Sequence, residues 1–184
     1  MTVTTPAVAG RLPAIRAAQV LGLSLLLALS AHVSVPFWPV PMTMQTLAVL
    51  MIAGLAGPWR ASGAMLTYLA EGALGLPVFA GTPARGLGLA YLAGPTGGYL
   101  AGMLVAAAVV GWLARRAAFR PAALLGAMTL GSLLVYALGA TWLAAFVGPA
   151  KAVALGVQPF LAGDAVKTAL ATAAVLAARQ MRGT

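Results

Sequence analysis

Six stretches of this chain, about 15–35, 44–58, 61–81, 95–114, 121–146 and 159–178, stay apolar for close to the length that crosses a bilayer. Covering roughly 30 Å of hydrocarbon takes about 20 helical residues. The runs are continuously apolar rather than alternating, so they read as helices and not as strands of a membrane barrel. Gly and Pro recur inside them, as membrane helices tolerate. The second run is short, and its boundary near Arg60 is the least defined.

Composition makes lipid the solvent. Hydrophobic residues are 62% of the 184 and charged residues 7%. A soluble domain of this size leaves too much of its surface exposed to hide such a content. The expected fold is therefore an all-α integral membrane protein. It is a single bundle of six transmembrane helices occupying 1–184, with 1–10 as a flexible tail. The formal charge of +9 does not point to nucleic acid, because the basic residues lie singly or in pairs between apolar runs. Placing the N-terminus inside puts Arg11, Arg16, Arg60, Arg115, Arg116, Arg120, Arg179 and Arg182 on the cytoplasmic side. Only Arg85 and Lys151 then fall in outer loops, a clear positive-inside bias that makes both termini cytoplasmic. The first span has too long an apolar region for a signal peptide.

Chemistry is scarce. With no cysteine, one histidine and two acids, the chain offers neither thiol chemistry nor a multi-ligand metal site, and no cofactor is expected. The run GPTGG lacks the Lys-Ser/Thr of a phosphate-binding loop. His32 and Ser34 are badly spaced for a nucleophile and its base, so no enzyme emerges. Charged groups within a bilayer are costly and thus functional candidates. Three exist: Glu71, Asp164 and Lys167. Asp164 and Lys167 share one face of the sixth helix at i and i+3. Either they form an ion pair that glues helices, or they floor a polar pocket that opens outward.

Topology favours the pocket. Gln45 opens the second helix and Gly94–Tyr99 the fourth on the outer side, where Arg85 and Tyr91 also lie, with Glu71 near mid-membrane. Trp38, in the proline-rich loop 35–43, and Tyr91 are lid candidates or interfacial belt residues. Ala14, Ala18 and Gly22 form a ladder of small residues on the first helix, and Gly94, Gly98 and Gly102 another on the fourth. Each ladder is either internal packing or a face on which a partner subunit docks.

Four runs carry a resemblance across about 14–178: Val35-Pro36-Phe37-Trp38-Pro39-Val40-Pro41-Met42-Thr43-Met44-Gln45-Thr46-Leu47, Gly75-Leu76-Pro77-Val78-Phe79-Ala80-Gly81, Gly94-Pro95-Thr96-Gly97-Gly98-Tyr99-Leu100 and Phe160-Leu161-Ala162-Gly163-Asp164-Ala165-Val166-Lys167. With this order and spacing the chain resembles the BioY family, the biotin-specific membrane S components of energy-coupling factor vitamin transporters. The resemblance implies six helices, tight biotin binding on the outer side, and coupling to a transmembrane T component and paired ATP-binding subunits. It also allows operation without them, possible self-association included. Asp164 and Lys167 become the substrate-contacting pair. Thr43, Gln45, Arg85, Tyr91 and Tyr99 follow by position, and the Ala14/Ala18 motif becomes the face meeting the T component. Glu71 has no counterpart carried over.

Biotin also suits these residues on physical grounds. Its ureido ring offers N–H donors to a carboxylate such as Asp164, and its valerate charge calls for Lys167 or Arg85. Its apolar parts suit walls such as Phe37, Trp38 and Tyr99. Another vitamin is the rival ligand, thiamine for instance, whose cation would suit Asp164 and Glu71. A structural subunit that binds nothing is the rival of a different class.

Overall fold

The computed structural model describes residues 11–36, 42–117 and 120–181. Trp38 and its neighbour Phe37, the tail 1–10 and Arg182 lie outside the described residues. In chain order the elements are α1 (Arg11–His32), β1 (Ser34–Val35), β2 (Met42–Thr43), α2 (Gln45–Ala56), α3 (Pro58–Ala73), α4 (Gly88–Ala93), α5 (Gly97–Arg116), α6 (Pro121–Val147), α7 (Pro149–Gly156), a 3-10 turn (Gln158–Phe160) and α8 (Leu161–Gln180). The two short strands pair antiparallel, Ser34 opposite Thr43 and Val35 opposite Met42.

Each of the six apolar runs contains a helix: α1, α2, α3, α5, α6 and α8 in turn. Among the described residues, four stretches are by length and composition long and apolar enough to cross a bilayer: Pro13–His32, Gly97–Arg116, Pro121–Val147 and Pro149–Gln180. α2 has 12 residues and α3 has 16. A single residue, Gly57, separates them, with φ of +79°, and Pro58 opens α3 at a position where its missing N–H costs nothing. α3 stops at Ala73 instead of reaching 81, because Gly75 takes φ of +93° and Pro77 follows. Glu71 therefore lies in the last turn of α3 and not at its middle. The short helices α4 and α7 were not anticipated from the sequence.

α1 and α3 run parallel, with Val20 beside Gly63 and Ser24 beside Glu71. α5 and α6 form the most extensive seam. A Cβ on Gly102 would come within 2.8 Å of the Val135 Cα, and Gly98 sits against Trp142 and the Leu138 carbonyl. That ladder of glycines is internal packing. The other ladder differs: Ala14, Ala18 and Gly22 are all exposed, and a Cβ on Gly22 would meet nothing within 4 Å. Tyr68, Phe79, Met65, Leu50, Val110, Met128 and Val175 fill the core. Leu25, Leu29, Leu133, Val166 and Leu170 face outward, the pattern of a chain whose surroundings are hydrocarbon.

The bundle has two unlike ends. At one, α2 meets α3, and α5 and α8 terminate. There the Arg115 guanidinium donates to the Ala56 carbonyl at 3.4 Å and the Arg179 guanidinium to the Gly54 carbonyl at 3.5 Å, covering the last turn of α2. Arg60, Arg116 and Arg120 lie at the same end, where α3 and α6 begin and α5 stops. At the other end a cavity opens.

Candidate functional site

The cavity at the second end has a volume of about 590 Å³, within the range of small-molecule pockets. Most of its wall is apolar or aromatic, with Leu100, Met103, Val135, Leu143, Leu155 and Phe160 contributing. Its polar floor is built where the first turn of α8, the first turn of α2 and the middle of α6 converge.

Asp164 lies in the first turn of α8, where the helix macrodipole favours a negative charge. Lys167 is one turn on, and its Nζ donates to Asp164 Oδ1 at 2.8 Å. The two residues are only 7% and 6% exposed. Thr46 of α2 donates to the same Oδ1 at 3.1 Å and accepts from Lys167 Nζ at 3.2 Å. From α6, the Tyr136 hydroxyl donates to Oδ2 at 2.5 Å. Asp164 thus receives three hydrogen bonds, and the ion pair is braced from two neighbouring helices.

The remaining polar residues stand around this floor. Gln45, 3% exposed, lines the cavity, with its Nε2 buried rather than open to it. Thr43 lines it from β2. The Tyr91 hydroxyl donates to the Ala80 carbonyl at 2.8 Å, and its ring stacks on Phe79 at 4.7 Å. The Tyr99 hydroxyl donates to the Gly156 carbonyl at 2.9 Å, tying α5 to α7. Both hydroxyls are thus engaged by backbone carbonyls. Arg85 is exposed at the lining, folded over Gly81, and forms no ion pair among the described residues. His32, whose Nδ1 lies 2.9 Å from the Ala28 carbonyl, and Ser34 are further lining residues.

The structure thus gathers Thr43, Gln45, Arg85, Tyr91, Tyr99, Asp164 and Lys167 around one space. It places Glu71 elsewhere. That carboxylate does not line the cavity but faces α1, with Oε1 2.9 Å from the Ser24 hydroxyl. The same hydroxyl lies 2.9 Å from the Leu21 carbonyl, and Glu71 Oε2 is buried without a partner among the described residues. Sequence reasoning did not select Thr46, Tyr136, His32 or Ser34 as site residues. Thr46 lies within the run 35–47, one residue from Gln45. Tyr136 is the sole tyrosine of α6, a weak signal in a helix that otherwise reads as lipid-facing. No cluster of three or more His, Cys, Asp or Glu side chains occurs among the described residues.

A floor of one donor–acceptor ion pair, walls of rings and alkyl groups, and an unneutralised guanidinium suit a small amphipathic ligand carrying an acid. Comparison with known proteins points the same way. The family described as the BioY family matches residues 4–184. A probable biotin transporter BioY of Pyrococcus horikoshii is 38% identical over 154 residues, covering 84% of this chain and 88% of that protein. The biotin transporter BioY of Thermotoga maritima is 38% identical over 156 residues with the same coverage, 84% and 88%. That of Rhizobium etli is 37% identical over 169 residues, 87% of each. A crystal structure of the S-component for biotin from an ECF-type ABC transporter superposes with a TM-score of 0.78 over 97% of this chain and 95% of that one, at 23% identity.

Proposed function

The chain belongs to the BioY family, and from that membership we propose that it takes up biotin across the cytoplasmic membrane, binding the vitamin in the cavity floored by Asp164 and Lys167. It is a transport protein and not an enzyme. The arginine-bearing end, with both termini, faces the cytoplasm, and the cavity opens outward; the one-sided distribution of Arg60, Arg115, Arg116, Arg120 and Arg179 supports this.

The observation that carries the reading is the pairing of the floor. Lys167 is already neutralised by Asp164 at 2.8 Å, so the pair suits the neutral ureido head, donating to its carbonyl and accepting from its N–H. Arg85, unpaired among the described residues, then meets the valerate carboxylate. Gln45 and Thr43 supply further hydrogen bonds, while Tyr91 and Tyr99 enclose the apolar parts. A naked carboxylate, which a cationic vitamin such as thiamine would need, is not available at Asp164. Equilibrium binding on the purified protein tests this: biotin binds and thiamine does not. Binding of thiamine instead, or of no vitamin at all, overturns it.

As the substrate-binding S component, the chain works with a transmembrane T component and ATP-binding subunits. The exposed ladder Ala14, Ala18 and Gly22 is the face on which the T component docks, since small residues permit close helix approach. Ala18→Trp should abolish transport and spare biotin binding; loss of both would return the ladder to the bundle.

A further inference from the structure

Resting on the biotin reading, we propose that the Tyr136 hydroxyl, with Thr46, determines ligand specificity: it fills Asp164 so that the site takes a neutral head bearing adjacent N–H and C=O groups and refuses a cationic one. The polar atoms of both residues are directed at the ion pair.

The argument is a count of hydrogen-bonding capacity. An ionised carboxylate has about four acceptor positions and an ammonium three donors. At Asp164, Oδ1 accepts from Lys167 Nζ and Thr46 Oγ1, and Oδ2 accepts from Tyr136. One acceptor position is left, on Oδ2. At Lys167, Nζ donates to Asp164 and to Thr46, leaving one N–H. The open edge of the floor is therefore one acceptor beside one donor, on a pair whose charges cancel. A cyclic urea fits both positions. A guanidinium or other cation offers a donor where Lys167 also offers one, and finds no uncompensated negative charge to offset its desolvation.

Tyr136 also decides where the carboxylate points. Asp164 and Lys167 share a helix, and an i, i+3 pair alone holds its rotamers weakly. Bonds from α2 and α6 fix the carboxylate from both sides. Removing the Tyr136 hydroxyl frees a second position on Oδ2, which favours cations, and loosens the edge that a urea reads.

Tyr136→Phe keeps the ring against the cavity and removes only the donor. The probes are biotin and iminobiotin, its guanidinium analogue, titrated on the folded protein. We expect biotin affinity to fall about tenfold, the scale of one hydrogen bond to a charged group. Iminobiotin should hold its affinity or gain, so that the ratio of the two affinities drops about tenfold or more. A change in packing alone would lower both equally. An unchanged ratio overturns the proposal while leaving the biotin reading intact, whereas wild-type protein that binds no biotin overturns that reading and the proposal with it. Should Tyr136→Phe fail to fold, Thr46→Val replaces it: with the brace between Asp164 and Lys167 gone, biotin affinity should fall about tenfold and Thr46→Ser should restore it, and an undiminished affinity overturns the proposal.

Discussion

Asp164 and Glu71 are the chain's two acids, and their surroundings are opposite. Asp164 stands in the first turn of α8, at the end of a helix where the macrodipole favours a negative charge. Glu71 stands in the last turn of α3, where the same dipole opposes one. Asp164 has an ammonium and two hydroxyls directed at it. Glu71 faces a single hydroxyl, whose one proton is also within reach of the Leu21 carbonyl, and its second oxygen has no partner among the described residues. One lines the cavity and the other looks into the contact between α1 and α3. The difference teaches that an acid inside a bilayer is not a site merely by being there. What marks a site is the set of groups arranged to hold the charge in a chosen direction.

The comparison can be broken most directly at Asp164. Asp164→Asn should weaken biotin binding by about ten- to a hundredfold, because a charge-assisted acceptor becomes an amide able to turn its NH₂ toward the ligand's donor. Isothermal titration of the folded variant measures it, and an undiminished affinity would move the pocket away from α8. Lys167→Met should cost about tenfold and also lower the melting temperature, since Asp164 is left buried with only Thr46 and Tyr136. A loss of melting temperature with no loss of affinity would reduce the pair to helix glue. Arg85→Ala should cost severalfold, on the scale of an exposed charge pair, and the deficit should shrink with added salt. A salt-independent deficit would mean that Arg85 does not meet the carboxylate. Glu71→Gln is the sharpest control: affinity should stay within about twofold and thermal stability should not fall, as one poorly satisfied buried charge is removed. A tenfold loss of biotin affinity there would bring Glu71 into the site after all.

Rarity made Asp164 and Lys167 legible in the sequence, since a charged residue in an apolar run carries a cost that demands a reason. Turn and loop chemistry made the neighbourhood of Gln45, Arg85, Tyr91 and Tyr99 legible as one side of the bundle, and these six residues do line one cavity. Tyr136 was not legible. An aromatic in the middle of α6 looks like any lipid-facing residue until α8 is laid beside it, because its meaning resides in a bond that spans 28 positions of chain. The two ladders of small residues show the same limit. Their spacing is identical, yet Gly98 and Gly102 are closed into the α5–α6 seam while Ala14, Ala18 and Gly22 lie open. Helix ends were legible where proline stood at a start, as at Pro121, and misread where a glycine with positive φ cut a run short, as at Gly75.

The shortness of α2 sets a depth. Twelve helical residues rise about 18 Å, some 12 Å less than the hydrocarbon they sit in. With the last turn of α2 moored by Arg115 and Arg179, its first turn ends well beneath the opposite surface. The chain must descend to meet it. It does so with its backbone paired, β1 to β2 and the Met44 amide to the Val33 carbonyl at 2.9 Å, as non-helical backbone within a membrane requires. Thr46 is thereby held at the level of Asp164 and Lys167, at the bottom of a shaft and not at its rim. Any solute lowered there would meet the apolar walls first and the ion pair last. The length of one helix thus sets how far below its mouth the cavity keeps its polar floor.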